Sequence, residues 1–150
     1  MKNWRLRLLK CGRIANNENH EETDYIFVGE RFYLTGREDV TNKNRLPLSD
    51  MKPKNTEIPW FVMNHTPDDL DEPANLGVDF HVSGHTHKGQ MWPNHLITER
   101  TFELDYGHRV KEKMHALVSS GFGFWGPPTR IGSRSELWVI DIQFAKRLSR

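Results

Sequence analysis

Three histidines in this 150-residue chain are spaced to grip a cation: His65, in Asn64-His65-Thr66-Pro67, and His85 and His87, in Gly84-His85-Thr86-His87. A neutral imidazole offers a lone pair to Zn, Fe or Mn alike, so the ligand type does not name the ion. In an extended segment residues i and i+2 face the same way, which would aim His85 and His87 at one ion or at two neighbouring ions. Gly84 has no Cβ and would let the backbone turn sharply beside an ion. A lone His-x-His spelling arises often by chance. The weight here comes from Gly84 in front of it and from a third histidine on a separate segment. His20, His95, His108 and His115 lack such company and read as surface or core residues with satisfied ring nitrogens.

Both histidine segments follow runs that read as strands. Residues 58–63 are apolar apart from Pro59 and lead into His65, and residues 78–83 lead into His85. Ligands in open α/β sheets gather beyond the carboxyl ends of strands, so three imidazoles delivered from two strand ends can converge. Between the two runs, Pro67, Asp68 and Asp69 read as the start of a helix over 68–75, with Gly77 as its stop. Residues 24–28 and 31–35 read as a hairpin around Gly29-Glu30, residues 36–45 as a loop and 47–51 as a short helical turn. Downstream come a Gly/Pro/Asn-rich segment, a strand at 115–119, a glycine-rich loop at 121–128 and a last strand at 137–142. Trp4, Leu6, Leu8 and Leu9, interleaved with Arg5, Arg7 and Lys10, read as the last turns of an amphipathic helix stopped by Gly12.

Composition bounds the rest. Apolar residues make up 36% and charged residues 27%, the balance of a globular chain, and the length favours one domain. A formal net charge of +1 supplies no field that would select nucleic acid or a membrane surface. The single cysteine, Cys11, cannot form an internal disulfide and asks for no oxidising compartment. No apolar stretch is long enough to span a bilayer, and residues 1–13 hold no apolar segment of the signal-peptide kind. The expectation is a cytoplasmic protein, or one peripheral to a membrane, with no stable membrane insertion and no nucleic-acid partner.

The sequence Val82-Ser83-Gly84-His85-Thr86-His87, followed by Gly89-Gln90, resembles the last motif of the calcineurin-like metallophosphoesterases, in particular a bacterial branch with membrane-associated members. Residues 34–39, Asn64-His65-Thr66-Pro67, residues 119–130 with Gly121 and Gly123, and residues 136–142 resemble that branch's remaining pieces in order. Lys88 departs from the family, where glycine is common. The resemblance implies an α/β fold: one partial domain over 1–150, forming the C-terminal part of a four-layer αββα sandwich without its first strands. It implies a metal-dependent phosphoester hydrolase with two divalent ions (Mn, Fe, Zn or Mg). His65 and His85 would be ligands of one ion and His87 of the other, acting on a small-molecule or lipid-linked phosphoester.

The family's upstream motifs have no counterpart. Asp79-Phe80-His81 spells Asp-x-His but lies on the strand before Gly84, and Asn19-His20-Glu21 lacks the preceding glycine of Gly-Asn-His-Glu. No Gly-Asp dipeptide occurs. Three imidazoles bring no negative charge to hold two dications together, so this reading expects a truncated form with an incomplete dinuclear site. It would bind at most one ion, weakly, and show little activity. The alternative is a non-catalytic module that docks with a separately encoded N-terminal part. A single structural zinc fits less well, since there is no cysteine pair. Asp39 and Arg130 are loop residues that could touch substrate, and Phe122, Phe124 and Trp125 would line a pocket, contact lipid or pack on the sheet.

Overall fold

The computed structural model describes residues 32–140 and 142. The chain divides into two compact units, residues 21–136 and a second built from 1–20 and 137–150. The first unit carries every regular element described here. In the second, residues 137–140 and 142 form no strand. The alternation at 137–142 suits a strand, but a strand also needs a partner's amide and carbonyl row, which sequence alone does not specify. Cys11, the proposed helix end before Gly12, Asn19-His20-Glu21 and the first arm of the proposed hairpin lie outside the described residues.

Five short strands make one sheet: β1 (Tyr33–Gly36), β2 (Trp60–Met63), β3 (Phe80–Ser83), β4 (Gly107–Lys111) and β5 (Met114–Val118). Their order is β1-β2-β3-β5-β4; neighbours run parallel except β4 against β5. The result is a mixed sheet of α/β type with few helices. The inner strands are rich in aromatic and β-branched residues, as expected where both faces of a parallel sheet are covered. Register aligns Thr35, Val62, His81 and Ala116 in one row across four strands. That face holds the core, where Trp60, Val62, Met114, Ala116 and Val118 pack with Leu48, Met51, Leu70 and Val78. Each large aliphatic side chain buried there contributes about 1.5–3 kcal/mol. On the opposite face Phe61 stacks near Phe32 at 4.9 Å and meets the edge of Phe80 at 5.8 Å.

The helix between β2 and β3 is shorter than the sequence suggests: α1 spans Asp71–Leu76. Asp69, rather than Pro67, starts it, because its Oδ1 accepts the backbone N–H groups of Asp71 and Glu72 at 2.7 and 3.1 Å. Pro73 is tolerated in the first turn, where its missing N–H has no intrahelical partner to lose. Gly77 closes the helix at φ 89°. Residues 47–51 form the anticipated turn, a 3-10 segment at Leu48–Met51.

Two elements hide in the Gly/Pro/Asn-rich segment. Helix α2 (His95–Thr101) buries no residue and so shows no apolar stripe. Strand β4 reads Gly-His-Arg-Val-Lys; it lies at the sheet edge and is nearly all polar, which conceals it while discouraging edge-to-edge pairing. No helix among the described residues is long and apolar enough to cross a membrane.

Candidate metal centre

The loops leaving the carboxyl ends of β1, β2, β3 and β5 carry Asp39, His65, His85 with His87, and Ser119 to Gly121. The β2 and β3 ends are tied together: Asn64 N–H donates to Val82 O at 3.0 Å, and Gly84 N–H donates to His65 O at 3.1 Å. Asn64 is itself fixed by donating to Thr66 O at 2.7 Å and Asp68 Oδ1 at 2.9 Å. Its side-chain oxygen is buried without a donor among the described residues, a leftover acceptor beside His65.

These ties bring His65 and His85 together. His85 Nδ1 lies 3.1 Å from His65 Nε2, with the rings at 81° to one another. Two ligands on one ion at about 2.0–2.1 Å sit about 2.8–3.4 Å apart for octahedral to tetrahedral angles, so this spacing suits a shared cation. It equally suits one N–H···N hydrogen bond between the rings. Both side chains are exposed, as a site open to substrate requires.

The segment after Gly84 is a turn rather than extended chain. His85 has φ 65°, Thr86 φ −65° and His87 φ 50°, and Thr86 N–H donates to Gly84 O at 2.7 Å. The i, i+2 alignment expected of an extended His-x-His is therefore lost. Nor does Gly84 make the turn: it is absent from the positive-φ positions, and a Cβ there would meet Ser119 O only at 3.9 Å. Left-handed backbone falls on His85, His87, Lys88 and Gln90, at a cost of about 1–3 kcal/mol each for non-glycine residues. Gly89, at φ 71°, has no alternative, because a Cβ would collide with the backbone of His95.

The two histidines take different partners. His87 turns Nδ1 toward Arg130, whose Nη2 lies 3.3 Å away. A guanidinium only donates, so Nδ1 accepts and Nε2 carries the hydrogen of the neutral ring. Burial first, and then the Arg130 charge, hold the His87 pKa below the ordinary histidine value and keep the ring neutral. Metal-bound histidines usually show the reverse pattern, with the lone pair on the ion and the other N–H donated outward. His65 and His85 form a pair, and no group of three His, Cys, Asp or Glu side chains able to hold an ion occurs among the described residues. The donor set thus fits two positions of one ion.

Asp39 approaches the pair from the β1 side. Its carboxylate is held below its ordinary pKa chiefly by hydrogen bonds from the Thr41 N–H and hydroxyl, and also by the His65 and His85 charges. The sequence placed Asp39 and Arg130 near substrate but gave no sign that Arg130 seats His87. Arg130 Nη2 also donates to the carbonyls of Ser120, Gly121 and Gly123 at 2.8, 3.2 and 2.5 Å. Such a hub could be read in advance only as one arginine among the glycines and prolines of a long loop.

The false motif resolves structurally. Asp79 Oδ2 accepts the Trp60 N–H at 3.0 Å. His81 is 1% exposed in the core row, and burial lowers its pKa to about 4. Neither residue joins the pair. His108 and His115 form a second contact, Nε2 to Nδ1 at 3.0 Å, on the β4–β5 hairpin.

Over 69 residues, 45% of its length, the chain is 36% identical to a protein named uncharacterized metallophosphoesterase from Campylobacter jejuni. It is 32% identical over 94 residues, 61% of its length, to a like-named protein of Helicobacter pylori. A transmembrane protein with metallophosphoesterase domain from Danio rerio is 34% identical over 93 residues, 60% of the chain. The matches span 18%, 25% and 21% of those relatives' own lengths. No family model and no solved structure matches the chain. Over about half its length the chain is thus similar to several proteins named metallophosphoesterases, a likeness that supports the calcineurin-like metallophosphoesterase family.

Proposed function

We propose that this chain supplies the histidine part of a metal-dependent phosphoester hydrolase site, with one divalent ion held by His65 and His85. The observation that carries the reading is the 3.1 Å separation of their nitrogens at adjacent strand ends. His65 and His85 would hold the ion, whose chemistry there would be Lewis-acid activation of a phosphoester and of water. Around it, the Asn64 bonds hold the β2 end, and the Gly84–His65 bond fixes the approach of the two rings. His87 presents Nε2–H beside the pair, where it donates to an anionic oxygen. It would serve as a ligand of a second ion only with Nδ1 free of Arg130. The substrate is a phosphoester; the relatives' names specify no more than that class.

A second reading follows from the same geometry. Two neutral ligands carry no charge to offset a dication, and no third ligand joins them among the described residues. The carboxylates would then come from a separate part docking against these strand ends, and this chain alone would bind an ion weakly and turn over slowly.

Calorimetric titration of the full chain with Mn²⁺ and Zn²⁺, beside hydrolysis of bis-p-nitrophenyl phosphate, tests both. Weak binding lost in His65→Ala and in His85→Ala, with little turnover, fits a partial site. Robust turnover abolished by His85→Ala would establish a complete one. Binding and turnover indifferent to both substitutions would remove the metal centre from these residues.

A further inference from the structure

The β4–β5 hairpin carries a second pair of facing imidazoles that the candidate metal centre does not use. His108 Nε2 lies 3.0 Å from His115 Nδ1. The ring centroids are 5.2 Å apart and the ring planes are 19° from parallel. The strand ladder sets this contact. Val110 stands opposite His115, and His108 stands opposite Leu117, so the two histidines are diagonal neighbours on one face of the hairpin. It is the face away from the core, which takes the alternate residues Met114, Ala116 and Val118 of β5. His108 is exposed and His115 half-buried, so a solute can reach the pair. Pairing along the whole of both strands fixes the two backbones, and little freedom is lost when both rings take one ligand.

Without an ion the contact is one N–H···N hydrogen bond. An ion would take the place of the shared hydrogen, which the donor ring would carry on its other nitrogen. Nitrogens 3.0 Å apart, each about 2.0–2.1 Å from an ion, subtend about 95° at it. That near-right angle suits square-planar and octahedral ions better than tetrahedral zinc, and imidazole favours late first-row dications. No third His, Cys, Asp or Glu side chain joins the pair among the described residues, so water would fill the remaining positions. We propose that His108 and His115 form a two-histidine site for Ni²⁺ or Cu²⁺, and that the bound ion clips edge strand β4 to β5. Strand β4 has β5 as its one neighbour in the sheet, so a bridge between them opposes fraying of that edge. The site shares no residue with His65 and His85 and is independent of the hydrolase reading.

The test is calorimetric titration of the full chain with Ni²⁺, with Mn²⁺ as the control ion. The proteins are wild type, the double variant His65→Ala with His85→Ala, and that double variant with His108→Gln or His115→Gln added. The double variant should keep one Ni²⁺ site and bind Mn²⁺ at least about ten-fold more weakly. Either added glutamine should weaken Ni²⁺ binding at least about ten-fold, the loss that removal of even an outer-shell partner causes. Saturating Ni²⁺ should slow amide hydrogen exchange in β4 of the double variant and leave it unchanged once His108→Gln is added. His108 is exposed, so His108→Gln should not lower the metal-free melting temperature, which separates a lost ligand from a lost fold. The proposal is overturned if the double variant binds no Ni²⁺, if it binds Mn²⁺ as tightly, if binding is indifferent to His108→Gln, or if bound Ni²⁺ leaves β4 exchange unaltered.

Discussion

His81 offers the sharpest test of how the site is divided from the core. It occupies the row between Val62 and Ala116 at 1% exposure, with Ser83 Oγ 3.4 Å from its Nδ1. Burial is the main cause that lowers its pKa from 6.5 to about 4; Arg37 and Arg45 add to this, and Asp68 opposes it. Protonation is therefore easier in the unfolded chain. The stabilising effect of the neutral ring is complete above the unfolded pKa, erodes as pH falls from 6.5 and is gone below about 4. The whole difference amounts to about 3 kcal/mol, of which about 2 kcal/mol disappears between pH 7 and pH 5. The perturbation is His81→Gln, which keeps a polar side chain of similar size that does not titrate. Urea unfolding of both proteins in half-unit pH steps gives the readout. Carboxylates titrate equally in the two, so the difference between the pH slopes isolates His81. Wild type should lose about 2 kcal/mol more than the variant over that interval. Parallel pH profiles would show that the ring is solvated or paired, and would return the Asp79-Phe80-His81 spelling to the candidate site.

Two other substitutions probe the loops around the centre. Gln90 is 3% exposed, accepts the Trp125 N–H on Oε1 at 2.6 Å, and donates from Nε2 to the carbonyls of Trp125, Pro127 and Thr129. Gln90→Leu should cost about 1–3 kcal/mol and speed hydrogen exchange at the Trp125 amide, and an unchanged exchange rate would show that the loop is held by other contacts. Arg130→Gln removes the guanidinium facing His87. The His87 ring should then titrate at a higher pH by NMR, though burial, the larger cause, still holds it below the ordinary value. No movement would mean that the Arg130 contact is not populated in solution.

The strand ends that carry the histidines were legible because their signals are local. The runs at 58–63 and 78–83 contain β2 and β3, each of which starts two residues later, Gly77 ends α1, and the expected loop at 36–45 holds from 37 onward, Gly36 being the last residue of β1. Elements that bury little were illegible: α2 has no apolar face, and β4 is a charged edge strand whose only specification is its pairing with β5.

The sequence by itself singled out candidate cation ligands and the strands of an α/β sheet that they follow. Residue type and apolar patterning are properties of neighbours in the chain. Only the tertiary structure decided how those residues divide. Register aligned Val62 with His81 and buried that imidazole, while the bond from Gly84 to His65 drew His65 and His85 to 3.1 Å. Arg130, 43 positions beyond His87, took that ring's Nδ1. Each outcome depends on groups far apart in sequence competing for the same lone pairs in space, and no local pattern records who wins that competition.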